Sequence, residues 1–336
     1  MGNMHGTQAI KCVVMFSGGL DSTIAAHLML SQGLDVTALH FVLPFESGLG
    51  REHGAVKRYA KALGVPLRIE EEGAEFLEMV KNPHFGYGKH ANPCVDCRIY
   101  RLQKAAAVME SMGAKFIVTG EVMGQRPMSQ RKDSLLAVEK RSGLSGLLLR
   151  PLCAKLLSPT IPEKEGWVDR EKLMAIRGRS RREQLAYARE FGLEHGAPGG
   201  GCLLTEKETG ARFTALRERD PAFTINDFKL LAYGRHFRIH DTARLIVGRN
   251  RLENETLMAL VEPADIRFRM ADVEGPFAFL RGTAGPDDIA LSAAVVARYS
   301  KLRDASSARV SFTVDSHESV IEVAPANDQV CARYRV

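Results

Sequence analysis

Apolar positions in the first half of the chain fall into short runs separated by stretches with helical spacing. Lys11–Phe16 is an apolar run of strand length, followed by a glycine turn and an amphipathic stretch at Thr23–Gln32. Val36–Leu43 reads as a second strand. Arg51–Leu63 reads as a helix with Ala55, Tyr59, Ala62 and Leu63 on one side, Val65–Ile69 as a third strand and Gly73–Val80 as a short helix. A loop rich in Gly, His and Pro covers Lys81–Cys97. Arg98–Met112 is helical, with Leu102, Ala105, Ala106 and Met109 on one face, and Lys115–Thr119 and Gly146–Arg150 are further strands. Strands alternating with crossover helices predict an α/β fold built on a doubly wound parallel sheet. Ligands of such sheets bind beyond the carboxyl ends of the strands.

From Pro151 the pattern turns helical, with Asp169–Ile176 and Arg181–Phe191 rich in helix formers. From about Ile225 β-rich runs dominate (Arg244–Val247, Ile266–Met270, Arg309–Val314), joined by a helix at Ile289–Tyr299. The expected organisation is an α/β domain over 1–155, a basic helical connector over 156–224 and a smaller α+β domain over 225–336. A length of 336 residues suits more than one domain.

Composition then narrows the field. With 45% hydrophobic and 26% charged residues the chain is ordinary globular material, which argues against disorder. The net charge of +6 is uneven: residues 141–251 hold 21 Lys or Arg against 13 Asp or Glu. A basic middle points to a polyanion bound at one place, with a solvated basic face as the plainer reading. The N-terminal residues have no apolar signal core, and no run approaches the ~20 apolar residues that span a bilayer. A cytoplasmic protein without a membrane partner is expected. In that compartment six cysteines read as reactive or metal-binding rather than as a disulfide framework.

The most informative segment is Ser17-Gly18-Gly19-Leu20-Asp21-Ser22 between the first strand and the first helix. Glycines let a backbone turn sharply and aim its N–H groups at phosphate oxygens, Ser17 and Ser22 add hydroxyls, and the helix points its positive end at the anion. Asp21 beside phosphate calls for a Mg²⁺ between them or for a role in ordering the loop. The Gly-Lys-Ser/Thr ending of the ordinary P-loop is absent. The segment resembles the PP-loop of the ATP pyrophosphatase family, whose members cleave ATP between the α and β phosphates and adenylate a carbonyl oxygen. The resemblance implies ATP and Mg²⁺ as ligands, with His40 and Phe41, and Thr119 and Gly120, flanking the adenosine.

Asn92-Pro93-Cys94-Val95-Asp96-Cys97 places two thiols a turn apart ahead of a helix, beside Arg98 and Arg101. A helix N-terminus and two arginines would favour thiolate at both. A third thiol, Cys202, follows Pro198-Gly199-Gly200-Gly201. The Asn-Pro-x-x-x-Cys spacing is similar to that of the tRNA 2-thiouridylases, with Cys94 in place of their aspartate, and would put Cys97 on the catalytic cysteine and Cys202 on its partner. The trio is also similar to cluster-dependent tRNA thiolases, short 4-thiouridine synthetases included. That resemblance implies a [4Fe–4S] cluster on Cys94, Cys97 and Cys202 with one iron open. A cluster-free persulfide relay through Cys97 and Cys202, and a zinc site completed by His84 or His90, are the alternatives. Cys12, Cys153 and Cys331 read as small buried hydrophobes.

Arg177, Arg179, Arg181 and Arg182 open a helix and suit a phosphate backbone. Gly234-Arg235, Gly248-Arg249-Asn250 and the helix ending at Tyr299-Ser300 resemble the NFACT-R RNA-binding module, though Asp265-Ile266-Arg267-Phe268-Arg269 stands where that module has Asp-x-Trp-x-His. A small oligomerisation domain is the plainer reading of this region. Together the resemblances imply an ATP-dependent tRNA uridine thiolation enzyme, with Cys94, Cys97, Cys202 and Asp21 catalytic. Free sulfide or a persulfide carrier protein would supply sulfur, and the reading accommodates a homodimer. The rival classes are a PP-loop enzyme acting on a small molecule, by amidation or cofactor sulfur transfer, and a non-catalytic RNA-binding protein.

Overall fold

The computed structural model describes residues 9–45, 53–126, 129–197 and 202–336. Arg51, Pro127, Met128, Pro198 and the glycines at 199–201 lie outside the described residues. The chain divides into two compact units, Met1–Gly88 with Asn92–Gly201, and Lys89–Ala91 with Cys202–Val336.

In the first unit, β1 (Lys11–Met15) is flanked by parallel neighbours on both sides. Its Cys12 and Val14 enter one core and Val13 the opposite one, all at most 1% exposed. Burial on both faces is why this strand is a continuous apolar run. The chain continues through α1 (Leu20–Leu30), β2 (Asp35–Val42), α2 (Gly54–Ala62), β3 (Leu67–Glu71), α3 (Ala74–Lys81), α4 (Cys94–Ser111), β4 (Phe116–Thr119), α5 (Lys132–Arg141) and β5 (Leu148–Leu149). The sheet order is β3-β2-β1-β4-β5, every pair parallel, so the winding reverses between β1 and β4. That reversal sets the loops after β1 and β4 side by side, where such folds bind ligands. The short α6 (Ile161–Lys164) and α7 (Arg182–Glu190) follow. Val168, Leu173, Ile176 and Ala188 join the core under Cys12 and Val14.

The second unit holds α8 (Lys207–Arg219), α9 (Ile225–Leu230), β6 (Arg235–His240), β7 (Ala243–Val247), α10 (Arg251–Leu260), β8 (Ile266–Met270), β9 (Ala278–Gly282), α11 (Pro286–Arg298), β10 (Ala308–Val314), β11 (His317–Val323) and α12 (Asp328–Tyr334). Its sheet is antiparallel, in the order β11-β10-β8-β9-β7-β6. β8 shows why one face is covered: Ile266, Phe268 and Met270 are buried, while Arg267 and Arg269 point out. Ala293, Val296 and Ala297 of α11 complete that core. Among the described residues no helix is long and apolar enough to cross a membrane.

Candidate active site

The loop between β1 and α1 is braced from within. Gly18 has φ of +72°, and a Cβ there would meet the Tyr59 ring at 2.9 Å, so glycine is required twice over. Ser22 is buried; its hydroxyl donates to Gly19 O at 3.0 Å and accepts from the Ser17 backbone N at 3.3 Å. Ser22 therefore holds the loop's shape, and the hydroxyl of Ser17, an exposed residue, lies 3.1 Å from that of Ser22 and accepts from Gly19 N at 3.3 Å. The Asp21 carboxylate accepts from the Gln125 amide at 3.1 Å and the Gln184 amide at 3.4 Å. Two neutral amide donors fix its position. Gly196 N donates to Gly18 O at 2.7 Å, which pins the loop from the segment that runs into Cys202 six residues later.

The end of β4 packs against this loop. A Cβ on Gly120 would lie 2.6 Å from the Asp21 carbonyl and the Ser22 nitrogen, all backbone atoms. Thr119 is buried and donates to Glu121 at 3.1 Å. From β2, His40 Nδ1 meets Phe16 O at 2.9 Å, whereas Phe41 is buried in the opposite core with the Arg101 guanidinium over its ring. Of that pair, His40 alone keeps partial exposure.

Cys94 and Cys97 occupy the first turn of α4, which begins four residues earlier than its apolar spacing predicts. Asp96, also in that turn, accepts the backbone N–H groups of His84 at 2.9 Å and Phe85 at 3.0 Å, tying the preceding loop down so that the helix starts at Cys94. An i,i+3 spacing sets the two thiols on one face. Asn92 donates to Cys94 Sγ at 3.2 Å.

The expected bias of Cys97 toward thiolate is corrected by the structure. Burial raises its pKa above the ordinary thiol value; Arg101 and Arg98 pull down, and Glu72 and Cys94 push up. Both arginines are engaged by carboxylates. Arg101 donates to the buried Glu72 at 3.0 Å, and Arg98 lies 2.6 Å from Glu121. Burial would raise Glu121, but Arg98 and Arg150 outweigh it and hold this carboxyl below the usual range. Arg150 is itself buried and bonded to Glu121 at 2.8 Å and Glu139 at 2.7 Å. A connected path thus runs from the cysteine helix through Arg98 and Glu121 to Thr119 and Gly120, and on to Asp21 and Ser22.

Cys202 opens the second unit. No group of three or more His, Cys, Asp or Glu among the described residues is arranged to hold a metal ion. Cys12, Cys153 and Cys331 are buried. Arg177, Arg179 and Arg182 are exposed and Arg181 partly so. In the second unit Asp265 is buried and bonded to Arg281 at 2.7 Å, a structural post rather than an outward-facing group.

Glu72, Gln184 and Gly196 are site neighbours that sequence reasoning missed. None has a local signature, as each meets its partner only through the fold. Glu121 had a signal: a carboxylate directly after Thr119-Gly120 at a strand end.

Residues 6–155 match the family model described as thiamine biosynthesis protein (ThiI), and residues 234–335 match that described as NFACT protein RNA binding domain. A tRNA-specific 2-thiouridylase MnmA of Syntrophotalea carbinolica is 35% identical over 117 residues, 32% of this chain and 33% of that protein. A probable tRNA sulfurtransferase of Methanobrevibacter smithii is 32% identical over 176 residues, 50% of this chain and 44% of that protein. The chain thus spans less than half the length of either relative. A solved 4-thiouridine synthetase–RNA complex with bound ATP aligns with a TM-score of 0.41 and 20% identity, over 66% of this chain and 52% of that one.

Proposed function

We propose, from a chain that joins a ThiI-family domain to an NFACT-type RNA-binding domain, that it is an ATP-dependent tRNA sulfurtransferase that replaces a uracil oxygen by sulfur. The observation that carries this reading is the path from Cys94 and Cys97 through Arg98 and Glu121 to the braced β1–α1 loop. It links a nucleotide cradle to two thiols within one unit.

In the proposed reaction the β1–α1 loop binds ATP through backbone N–H groups and Ser17, with His40, Thr119 and Gly120 bordering the adenosine. Asp21, held by Gln125 and Gln184, would be the residue to hold Mg²⁺, whose charge would offset that of the phosphates. The uracil carbonyl oxygen attacks the α-phosphorus and pyrophosphate leaves. The base then carries its oxygen as an adenylate, whose C–O bond breaks with release of AMP when sulfur attacks the same carbon. Cys97, half-buried on the first turn of α4, would be the sulfur carrier. A persulfide carrier protein would load Cys97 by sulfur exchange, leaving the carrier's thiol, whereas free sulfide, already at the oxidation level of the product, would serve only the cluster version. Arg177, Arg179, Arg181 and Arg182 contact the tRNA backbone.

Cys94 and Cys97, two thiols on one helical turn, are donors of the kind a [4Fe–4S] cluster takes, but among the described residues no three such donors, Cys202 included, are arranged to hold a metal. A cluster would need Cys94, Cys97 and Cys202 together as its ligands, and would then supply iron to bind sulfide. The cluster-free version uses Cys97 and Cys202 as a persulfide pair. Iron and acid-labile sulfide in anaerobically purified protein support the first, and their absence with retained activity supports the second.

Nucleoside mass spectrometry of tRNA from cells lacking this chain tests the whole reading. Thiouridine should vanish, return with the wild-type chain and stay absent with Cys97→Ser; unchanged thiouridine in the deletion overturns it. A second reading, sulfur transfer to a small cofactor precursor, is favoured by the description of the family model matched by residues 6–155. Thiamine dependence of the deletion strain with normal tRNA would select it.

A further inference from the structure

The second unit contains a cleft of about 950 Å³ between the start of α10, the end of β8 and the end of α11. Its lining carries six cations (Arg235, Arg249, Arg251, Arg269, Lys301 and Arg303) against a single acid, Glu274. Four of the six have carboxylates of their own: Arg249 pairs with Glu253, Arg251 with Glu255, Lys301 with Glu274 and Arg303 with Asp304. Arg235 and Arg269 have no ion pair among the described residues. Both lie over aromatic rings instead, Arg235 at 4.4 Å from the centre of Tyr299 and Arg269 at 5.4 Å from that of Phe277.

We infer that this cleft is a binding site for unpaired ribonucleotides, in which the guanidiniums of Arg235 and Arg269 act as stacking planes and the surrounding charge holds the phosphates. The inference rests on the RNA reading above and narrows it to single-stranded RNA. A guanidinium laid on a ring has one face covered and keeps its other face and part of its N–H edge, which suit a base and a phosphate respectively. Arg235 is fixed in that pose, donating to Gly248 O at 3.3 Å, with Arg249 and Arg335 as like-charged neighbours and Glu253, itself paired with Arg249, as the opposing charge. A cation with two cations close by and no ion pair of its own favours an added anion. Two lining glycines are packed too tightly against neighbouring side chains to carry a side chain of their own. A Cβ on Gly248 would sit 2.1 Å from Asn254 Oδ1, and one on Gly275 2.4 Å from Met270 Cγ. The volume lies in the ~300–1,000 Å³ range of pockets that enclose compact ligands, which suits one or two splayed nucleotides and not a duplex. Plain phosphate attraction needs no flat cation, and an acidic peptide offers nothing to stack.

The test is fluorescence anisotropy of the full chain with a labelled oligouridylate and with an RNA duplex of equal length. The wild type should bind the single strand more tightly. Arg235→Lys with Arg269→Lys keeps both charges and removes both planes. It should weaken single-strand binding at least about fivefold and leave duplex binding and its salt dependence unchanged. Melting curves matching the wild type establish that the variant is folded; if it is not, each single Lys variant is measured in its place. Wild-type affinity in the folded Lys variants, equal affinity for duplex, or equal competition by polyglutamate overturns the inference. Because the readout is binding, loss of thiouridine formation with single-strand preference intact would sink only the catalytic reading, and the converse only this one.

Discussion

Cys97 shows how far a single side chain depends on partners that the local sequence does not display. Read locally, a thiol at a helix start beside two arginines should ionise easily. In the fold Arg98 meets Glu121 and Arg101 meets Glu72, so burial prevails and the thiol pKa rises. Alkylation of Cys97 by iodoacetamide should therefore accelerate only at a higher pH than for an ordinary exposed thiol. Glu72→Gln removes the negative neighbour and leaves Arg101 uncompensated, so the rate at about pH 8 should rise a few-fold. An unchanged rate would show that Glu72 has no hold on the sulfur. His236 makes the opposite case in the second unit. It is 1% exposed, its Nε2 faces the carbonyls of Leu230 and Tyr233, and burial with Arg212 and Arg244 nearby lowers its pKa well below the usual value. The folded chain keeps it neutral where the unfolded chain takes up a proton. Its contribution is therefore intact above the unfolded pKa of about 6.5 and is lost as pH falls below that. The melting temperature should drop as pH is lowered through that region, and His236→Gln, which keeps a donor, should flatten the slope. An equal slope in the variant would assign the acid sensitivity elsewhere.

At the scale of elements, what the chain displays locally is legible. The strands of the first sheet are readable because parallel strands buried on both faces leave continuous apolar runs, and β8 because its alternation marks a half-buried strand. The helix expected at Asp169–Ile176 forms only a 3₁₀ turn at Arg170–Lys172. Leu173 and Ile176 mimic helical spacing, but Met174 N and Ile176 N are captured by Pro151 O and Leu152 O, an extended pairing that spacing does not reveal. Lys132–Arg141 and Lys207–Arg219 do not stand out as helices in the sequence because their charged exposed faces dilute the apolar signal. For the candidate site, the β1–α1 loop is visible as a motif, whereas its clamps at Gln125, Gln184 and Gly196 exist only in three dimensions. Gly120 lies between these cases, marked by its motif yet explained by its packing. Gly120→Ala would drive a methyl into the Asp21–Ser22 backbone, which cannot give without moving the loop. A stability loss of about 1–3 kcal/mol is expected, with weaker ATP binding by calorimetry. Wild-type melting and ATP affinity in this variant would mean that the β4 end does not set the loop.

At the scale of the whole molecule, two cationic surfaces stand on different units: the arginines at 177–182 on the first, and the α10–α11 cleft on the second. Both are mostly exposed, so each should act on RNA chiefly through released counterions, and the logarithm of tRNA affinity should fall linearly with the logarithm of salt concentration. Changing Arg177, Arg179 and Arg182 to Gln should lower that slope by roughly 0.7–0.9 for every phosphate left without its arginine. If one tRNA engages both surfaces at once, binding to the second is effectively intramolecular. Disabling either surface should then weaken binding far more than that surface's own affinity for a short RNA would suggest. If the surfaces act on separate RNA molecules, the first-unit variant should leave oligouridylate binding untouched and reduce tRNA binding only by its own share. Measuring tRNA and oligouridylate affinities of each variant and of their combination, across a salt series, decides between the two arrangements. Equal salt slopes in the wild type and the Arg177, Arg179 and Arg182 variant would remove these arginines from the RNA interface and leave the second unit as the main tRNA-holding surface.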